Sequence, residues 1–387
     1  MSGILRLTWR YLTFNRAKSL ILFVCLTITI FLPLALHQLI SYYEAELGER
    51  ARETPLIIGA KGDRFDLVLA SLYFNGKAPA PVTANDLDQL RDTGRAQAIP
   101  LFLGFSAQQK PIIGTTTDYF FFRNLSPENG TLPLQLGDAV LGAKAAIDLG
   151  LTTGDHLLSD EASLIYIGGS YPLKMPIVGV LRPSGTPDDD AVFVDIKTAW
   201  IIAGIGHGHT DLDDPEASGF VSERDETSIT ANPAVFTYNE ITPDNIDSFH
   251  FHSERSELPV TAMIAIPNSD KDQTLLKARY SVADKTQLLV PTQIIEELLG
   301  IVFQVKRFFD GSFLLVALAT LLFLALVILL SLRIRRRERQ TMFQIGCDRM
   351  TIFWLQVTEL AILVALASVA AYTLSQFTLG AISRILG

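Results

Sequence analysis

Cysteine is nearly absent from this chain: two residues in 387, Cys25 and Cys347. Neither falls in the long stretch between them, so that stretch folds without disulfides even if it faces an oxidising compartment. Charge is also scarce. Only 19% of residues are Asp, Glu, Lys or Arg against 49% hydrophobic, and mean hydropathy is +0.29. A composition that apolar excludes an ordinary water-exposed protein of this length. Acids are missing from the first 18 residues, which carry Arg6, Arg10, Arg16 and Lys18. There is no GxxxxGK[ST] loop to wrap phosphates. Gly59–Gly62 contains Lys61 but lacks the spacing. Neither a G-x-S-x-G elbow nor an H-E-x-x-H pair occurs. No nucleotide site or hydrolytic centre is therefore expected in this chain. The first apolar run is too long for a signal-peptide core, and no small-residue cleavage site follows it.

What the chain does have is apolar length. From Gly311 to Leu332 there are 22 residues without a charge, followed by Arg333, Arg335, Arg336, Arg337 and Arg339. At 1.5 Å per residue that run crosses a hydrocarbon core of about 30 Å, and the arginines mark its cytosolic end. Two more spans are legible, Ser19–Ile40, which contains Pro33, and Ile352–Phe377. Residues 2–18 read as an amphipathic helix on the inner membrane surface, with Leu5, Trp9 and Leu12 on one face. The net charge of −9 is unevenly placed, with the acids gathered in the middle segment. The positive-inside rule then sets the N-terminus and the 333–351 loop in the cytosol and the middle segment outside. Because every basic cluster adjoins a span, nucleic acid is not an expected partner.

The middle segment has the texture of a folded domain. Short apolar runs (Leu56–Ile58, Ile112–Ile113, Ser163–Ile167, Ile177–Leu181, Val192–Val194 and Val260–Ile266) alternate with Gly, Pro, Asp and Asn. Helical patterns intervene at Ala84–Thr93 and Gly142–Leu149, and a loop-rich insertion is expected over His207–Thr227. The expected fold class is a membrane protein of α-helical transmembrane segments with a large α+β extracytoplasmic domain between spans one and two. The domains are then 1–43 (surface helix and first span), 44–305 (the extracytoplasmic domain with helical stalks over about 41–53 and 292–310) and 306–387 (second span, cytosolic loop, third span).

Several residues invite a chemical reading. Glu359 lies about eight residues into the third span, roughly 12 Å from its inner end. A carboxylate at that depth must face protein, either as a hinge or dimer contact or as a satisfied hydrogen bond inside the bundle, with Thr358 and Gln356 in reach. His207, His209, Asp211 and Asp213 alternate, so in an extended segment they share a face and are candidate Zn²⁺ ligands; a solvated loop has the same composition, and His250 and His252 form a second alternating pair. Tyr119–Phe122 is a run of four aromatics, read as a core strand, a subunit contact or the lining of an apolar path. Asp188, Asp189 and Asp190 are expected to form a turn with Pro187. In the cytosolic loop the arginines lead into Met342, Phe343 and Ile345, a short helix with a basic start and an apolar face that Gly346 would end.

These local sequences, in this order, resemble the MacB/FtsX-like permeases of ATP-driven membrane complexes. The resemblance lies in LRLTWRYLTFNRAKSLILFVCLTITIFLPLAL (Leu5–Leu36), IIGAKGDRFDLVLASLYF (Ile57–Phe74), DAVLGAKAAIDLGLTTGDHL (Asp138–Leu157), PIVGVLRPSGTPDDDAVFVDI (Pro176–Ile196) and RRRERQTMFQIGCDRMTIFWLQVTEL (Arg335–Leu360). Four spans are usual in that family; three are visible here. The resemblance implies a non-catalytic permease subunit in a bacterial inner (cytoplasmic) membrane, with its large domain in the periplasm. It implies a cytosolic ABC ATP-binding subunit that holds ATP and Mg²⁺, so this chain would carry no cofactor beyond a possible Zn²⁺. It implies a homodimer or a paired permease, contact with membrane lipid, and a periplasmic adaptor or binding protein. The coupling helix that meets the ATPase would comprise Arg335, Arg336, Arg337, Arg339, Met342, Phe343, Ile345 and Gly346. The output would be export or extraction of a lipid, lipoprotein or peptide. Activation of a periplasmic partner without transport, or metal uptake, are the alternatives.

Overall fold

A computed structural model describes residues 2–161, 172–208, 221–224, 229–231, 238–251, 253–334, 344 and 349–386. The chain divides into two compact units, one comprising Met1–Leu47 with Glu297–Gly387 and the other Gly48–Glu296.

The first unit is helical. It holds α1 (Ser2–Phe14), most of α2 (Arg16–Glu53), most of α9 (Pro291–Ile334) and α10 (Arg349–Leu386). Among the described residues three helices are long and apolar enough to cross a membrane: Arg16–Glu53, Pro291–Leu330 and Phe353–Ala381. Leu314, Leu321 and Leu322 on α9 are largely exposed, as side chains facing lipid must be. Pro33 lies inside α2, which continues through it. On the surface helix the three expected apolar residues do not share one environment. Leu5 and Trp9 point outward, while Thr8 and Leu12 are buried. Thr8 Oγ1 meets Thr358 Oγ1 of α10 at 3.1 Å, and Leu12 packs in one cluster with Leu22, Leu324 and Leu363. The small polar Thr8 lets α1 and α10 approach closely.

The second unit, the head, is built on a ten-stranded sheet. In chain order its strands are β1 (Leu56–Ala60), β2 (Ala96–Ala107), β3 (Lys110–Thr115), β4 (Pro127–Gly130), β5 (Ala139–Leu141), β6 (His156–Leu158), β7 (Lys174–Leu181), β8 (Val192–Asp195), β9 (Ala262–Pro267) and β10 (Thr286–Leu289). Their order is β10-β1-β9-β2-β3-β8-β5-β7-β4, with β6 paired to β7. The β3–β8 and β5–β7 pairs are parallel; the rest are antiparallel. Leu56, Ile57 and Ile58 are all fully buried, as are Val192, Phe193 and Val194. Consecutive buried residues mean that both faces of the sheet are covered there, which is why these strands read as unbroken apolar runs.

Among the described residues six helices dress the sheet: α3 (Arg64–Tyr73), α4 (Ala84–Asp92), α5 (Thr117–Phe122), α6 (Ala143–Leu149), α7 (Ile196–Ile202) and α8 (Asp270–Ser281). Their starts are written in the sequence. Asp63 accepts from the amides of Phe65 and Asp66, Asp195 from Lys197 and Ser269 from Asp272, each satisfying donors that a helix leaves open. The aromatic run Tyr119–Phe122 falls in helix α5, not in a strand: Tyr119 and Phe120 turn inward and Phe121 is 76% exposed. The apolar run Val260–Ile266 is split at Thr261, whose hydroxyl accepts from the Leu103 amide. Pro259–Val260 then pairs with Val82–Thr83, and β9 joins the main sheet. The expected strand Ser163–Ile167 lies outside the described residues.

Candidate functional site: an arginine joint at the end of the first long helix

Among the described residues of the head, the most highly organised polar site surrounds Arg50, in the last turn of α2. Its side chain is 4% exposed, and that of its partner Asp188 is 1% exposed. The guanidinium meets the carboxylate as a two-pronged fork, Nη1 to Oδ2 at 2.6 Å and Nη2 to Oδ1 at 2.8 Å. Nε donates to the carbonyl of Leu72 at 2.6 Å, and Nη2 also donates to Tyr119 Oη at 2.8 Å. Four of the five guanidinium N–H groups are thus engaged, in a planar array that lysine could not reproduce. The Tyr119 hydroxyl donates a hydrogen bond to Asp188 Oδ1 at 2.7 Å, and Thr186 donates to Oδ2 at 2.9 Å. Phe74, Phe120 and Phe193 close the apolar side; Arg50 lies 5.7 Å from the Phe74 ring centre. One residue after the helix, Thr54 accepts a 2.7 Å bond from Arg123.

Four separate elements converge on that single guanidinium. They are α2, the C-terminal end of α3 through Leu72, helix α5 through Tyr119, and the 3₁₀ turn Pro187–Asp190 through Asp188. Burial pushes the Asp188 carboxyl up, but the Arg50 charge and the hydrogen bonds from Arg50, Tyr119 and Thr186 outweigh it and hold the group below its ordinary range. Burial drives the Tyr119 hydroxyl far above its ordinary value, so it stays a donor. The turn bearing Asp188 is seated against Gly142, whose amide donates to the Ala191 carbonyl at 2.8 Å. A β-carbon at Gly142 would overlap the carbonyls of Asp188 and Asp189. Gly142→Ala is therefore expected to destabilise the head by about 1–3 kcal/mol through overpacking, read as a fall in the thermal midpoint of the purified chain.

A second polar cluster lies in the helical unit. Glu359, 8% exposed, pairs with Lys18 Nζ at 3.2 Å, beside the Thr8–Thr358 contact. Neither Glu359 nor Thr358 faces lipid unpaired. The expected coupling segment falls largely outside the described residues: of Arg335, Arg336, Arg337, Arg339, Met342, Phe343, Ile345 and Gly346 none is described. The same holds for His209, Asp211 and Asp213. His207 is described, and it stands opposite His250 across the antiparallel pair Gly206–Gly208 and Phe249–Phe251, with ring centres 5.0 Å apart. Among the described residues no group of three or more His, Cys, Asp or Glu converges as a metal site would require.

Asp188 and Arg50 did not stand out as a pair in the sequence. The available signals were the Thr-Pro-Asp start of a tight turn and a basic residue in the last turn of a long helix, but nothing local joins positions 138 residues apart. The Pro187–Asp190 turn itself is as expected.

No family model matches the chain, and no curated protein matches it. Among solved structures it is similar to the periplasmic region of MacB from Actinobacillus actinomycetemcomitans, at 11% identity over 65% of this chain and 97% of that one, with a TM-score of 0.36. It is also similar to the extracellular domain of the noncanonic ABC-type transporter YknZ from Gram-positive bacteria, at 11% identity over 60% of this chain and 98% of that one, with a TM-score of 0.33. Likeness at that level fixes no activity.

Proposed function

We propose that this chain is the non-catalytic membrane subunit of an ABC complex, carrying motion from a cytosolic ATPase into an extracytoplasmic head in order to extract or export an amphiphile such as a lipid, lipoprotein or peptide. The observation that carries this reading is the arginine joint. Helix α2 runs from Arg16 to Glu53, and its final turn is fixed into the head by a buried fork rather than ending in a loop. A rigid rod with a locked end transmits rotation and thrust, whereas a flexible connection dissipates them. The resemblance of the 335–360 segment to a permease coupling loop supplies the motor end. Apolar anchors ringed by charge suit a groove on a partner.

The test is purification of the tagged full chain from native membranes, with identification of what comes with it. An ATP-binding protein is expected, and Phe343→Asp with Met342→Asp should abolish its recovery while the chain still inserts. Recovery of no ATP-binding protein, or unaltered recovery with both aspartates in place, would refute the reading. A metal-handling role has one observation in its favour, the His207–His250 pair. Two facing imidazoles supply half of a four-ligand zinc shell. Stoichiometric Zn²⁺ on the purified chain, lost in His207→Ala, would move the assignment there.

A further inference from the structure

An apolar groove of about 760 Å³ opens in the helical unit, within the size range of small-molecule pockets. Its walls are Leu20 and Phe23 of α2 and Leu366 and Ala370 of α10, and Trp9 and Arg16 lie at one end. A groove of this kind on a soluble protein would call for a protein partner. Here it belongs to a unit whose helices are long and apolar enough to span a bilayer, so the solvent that reaches it is hydrocarbon.

The polar end is not neutral. Arg16 donates from Nε to the Thr13 carbonyl at 3.0 Å, which orients the guanidinium and leaves both of its Nη groups without a partner among the described residues. The neighbouring cation Lys18 is committed to Glu359, so it neither competes for a ligand nor leaves a carboxylate to repel one. Arg6 and Arg10 add to the charge, and there is no acid in the first 18 residues. Trp9, 57% exposed, is the residue type that settles at the level of the headgroups.

We infer that this groove is a binding site for one anionic phospholipid of the cytoplasmic leaflet, its acyl chain lying between α2 and α10 and its phosphate on the free edge of Arg16. The bidentate fork matches phosphate oxygens, and the fixed Nε bond preorganises it. The site requires only that these helices lie in a bilayer with the N-terminus in the cytosol. It does not depend on an ATPase partner, so its failure and that of the proposed function are separable.

The test is native mass spectrometry of the full chain released from nanodiscs of POPC containing a minor fraction of POPG. The wild-type chain is expected to retain POPG in preference to POPC. Arg16→Gln should weaken that preference about fivefold, the worth of one basic residue near a charged headgroup, while retention of POPC stays unchanged. Ala370→Trp, which fills the groove, should abolish retention of both lipids. Equal POPG retention by the wild type and Arg16→Gln would overturn the proposal. So would an efficient disulfide between two copies carrying Val369→Cys, since a second copy rather than a lipid would then fill the groove. Should Ala370→Trp fail to insert, the Arg16→Gln comparison decides alone.

Discussion

Replacing Asp188 with asparagine is expected to lower the unfolding free energy of the head by about 3–5 kcal/mol. The size follows from the surroundings. Removing the charge leaves the Arg50 guanidinium enclosed by Phe74, Tyr119 and Phe193 with no counter-ion, and a buried unpaired cation is far costlier than a lost hydrogen bond. For a domain of this size the thermal midpoint should fall by roughly 6–20 °C. Replacing both partners at once, Arg50→Met with Asp188→Leu, should recover most of that loss, because an apolar pair of similar volume carries no desolvation cost. Recovery will be incomplete, since the Leu72 carbonyl, the Tyr119 hydroxyl and the Thr186 hydroxyl each lose a partner. Thermal melts of the purified chain in detergent decide the matter. A single-variant loss below about 1 kcal/mol would show that the fork is ornamental.

The same pair gives the head a directional response to acid. The Asp188 carboxyl is held below its ordinary range when folded, so the folded state binds that proton less readily than the unfolded chain does. The stabilisation is complete above the unfolded value of about 3.9 and drains away as pH falls below it toward the depressed folded value. The wild-type midpoint should therefore drop steeply below about pH 4, and Asp188→Asn should flatten that limb.

The second large effect concerns coupling. With the proposed ATPase partner bound, inserting Gly-Gly-Ser near Ser41 is expected to leave that partner's ATP hydrolysis within about twofold of normal and to reduce any nucleotide-driven change in the head by tenfold or more. The argument is mechanical. A helix keeps its hydrogen bonds in register and moves as a rod, while three flexible residues break the ladder and let its two parts rotate independently. An insertion near Phe309 in α9 should act in the same way. Hydrogen exchange of the segment bearing Asp188, compared with and without nucleotide, provides the readout. A response to nucleotide equal to that of the uninterrupted chain would remove the mechanical reading.

The sequence disclosed the helical unit best. A charge-free run of 22 residues followed by arginines has no other stable interpretation, because backbone groups in lipid must be satisfied within the segment. In the head, strands buried on both faces, such as Leu56–Ile58 and Val192–Val194, were legible as apolar runs. The longest strand, Ala96–Ala107, was not. It contains Pro100 and Gly104, both of which signal a break, yet its neighbours override them, and it carries a register shift between Phe102 and Phe105. Helix α3 was hidden for a similar reason: Leu67, Val68, Ala70 and Leu72 are all buried, so the segment lacks a polar stripe and resembles a core strand. The joint escaped because its energy resides in a contact between distant residues, and composition carries no record of such pairing.

The order in which the head is threaded follows from its connectivity. β1 sits between β9 and β10, so the first strand to emerge waits for the last two before its edges are matched. Arg50 is likewise synthesised well before Asp188, 138 residues later, exists to receive it. During synthesis β1 therefore keeps two open edges until β9, α8 and β10 have been made, and Arg50 keeps its cation solvated until Asp188 follows. A head truncated before Asp188 lacks both the seam around β1 and the anchor for Arg50.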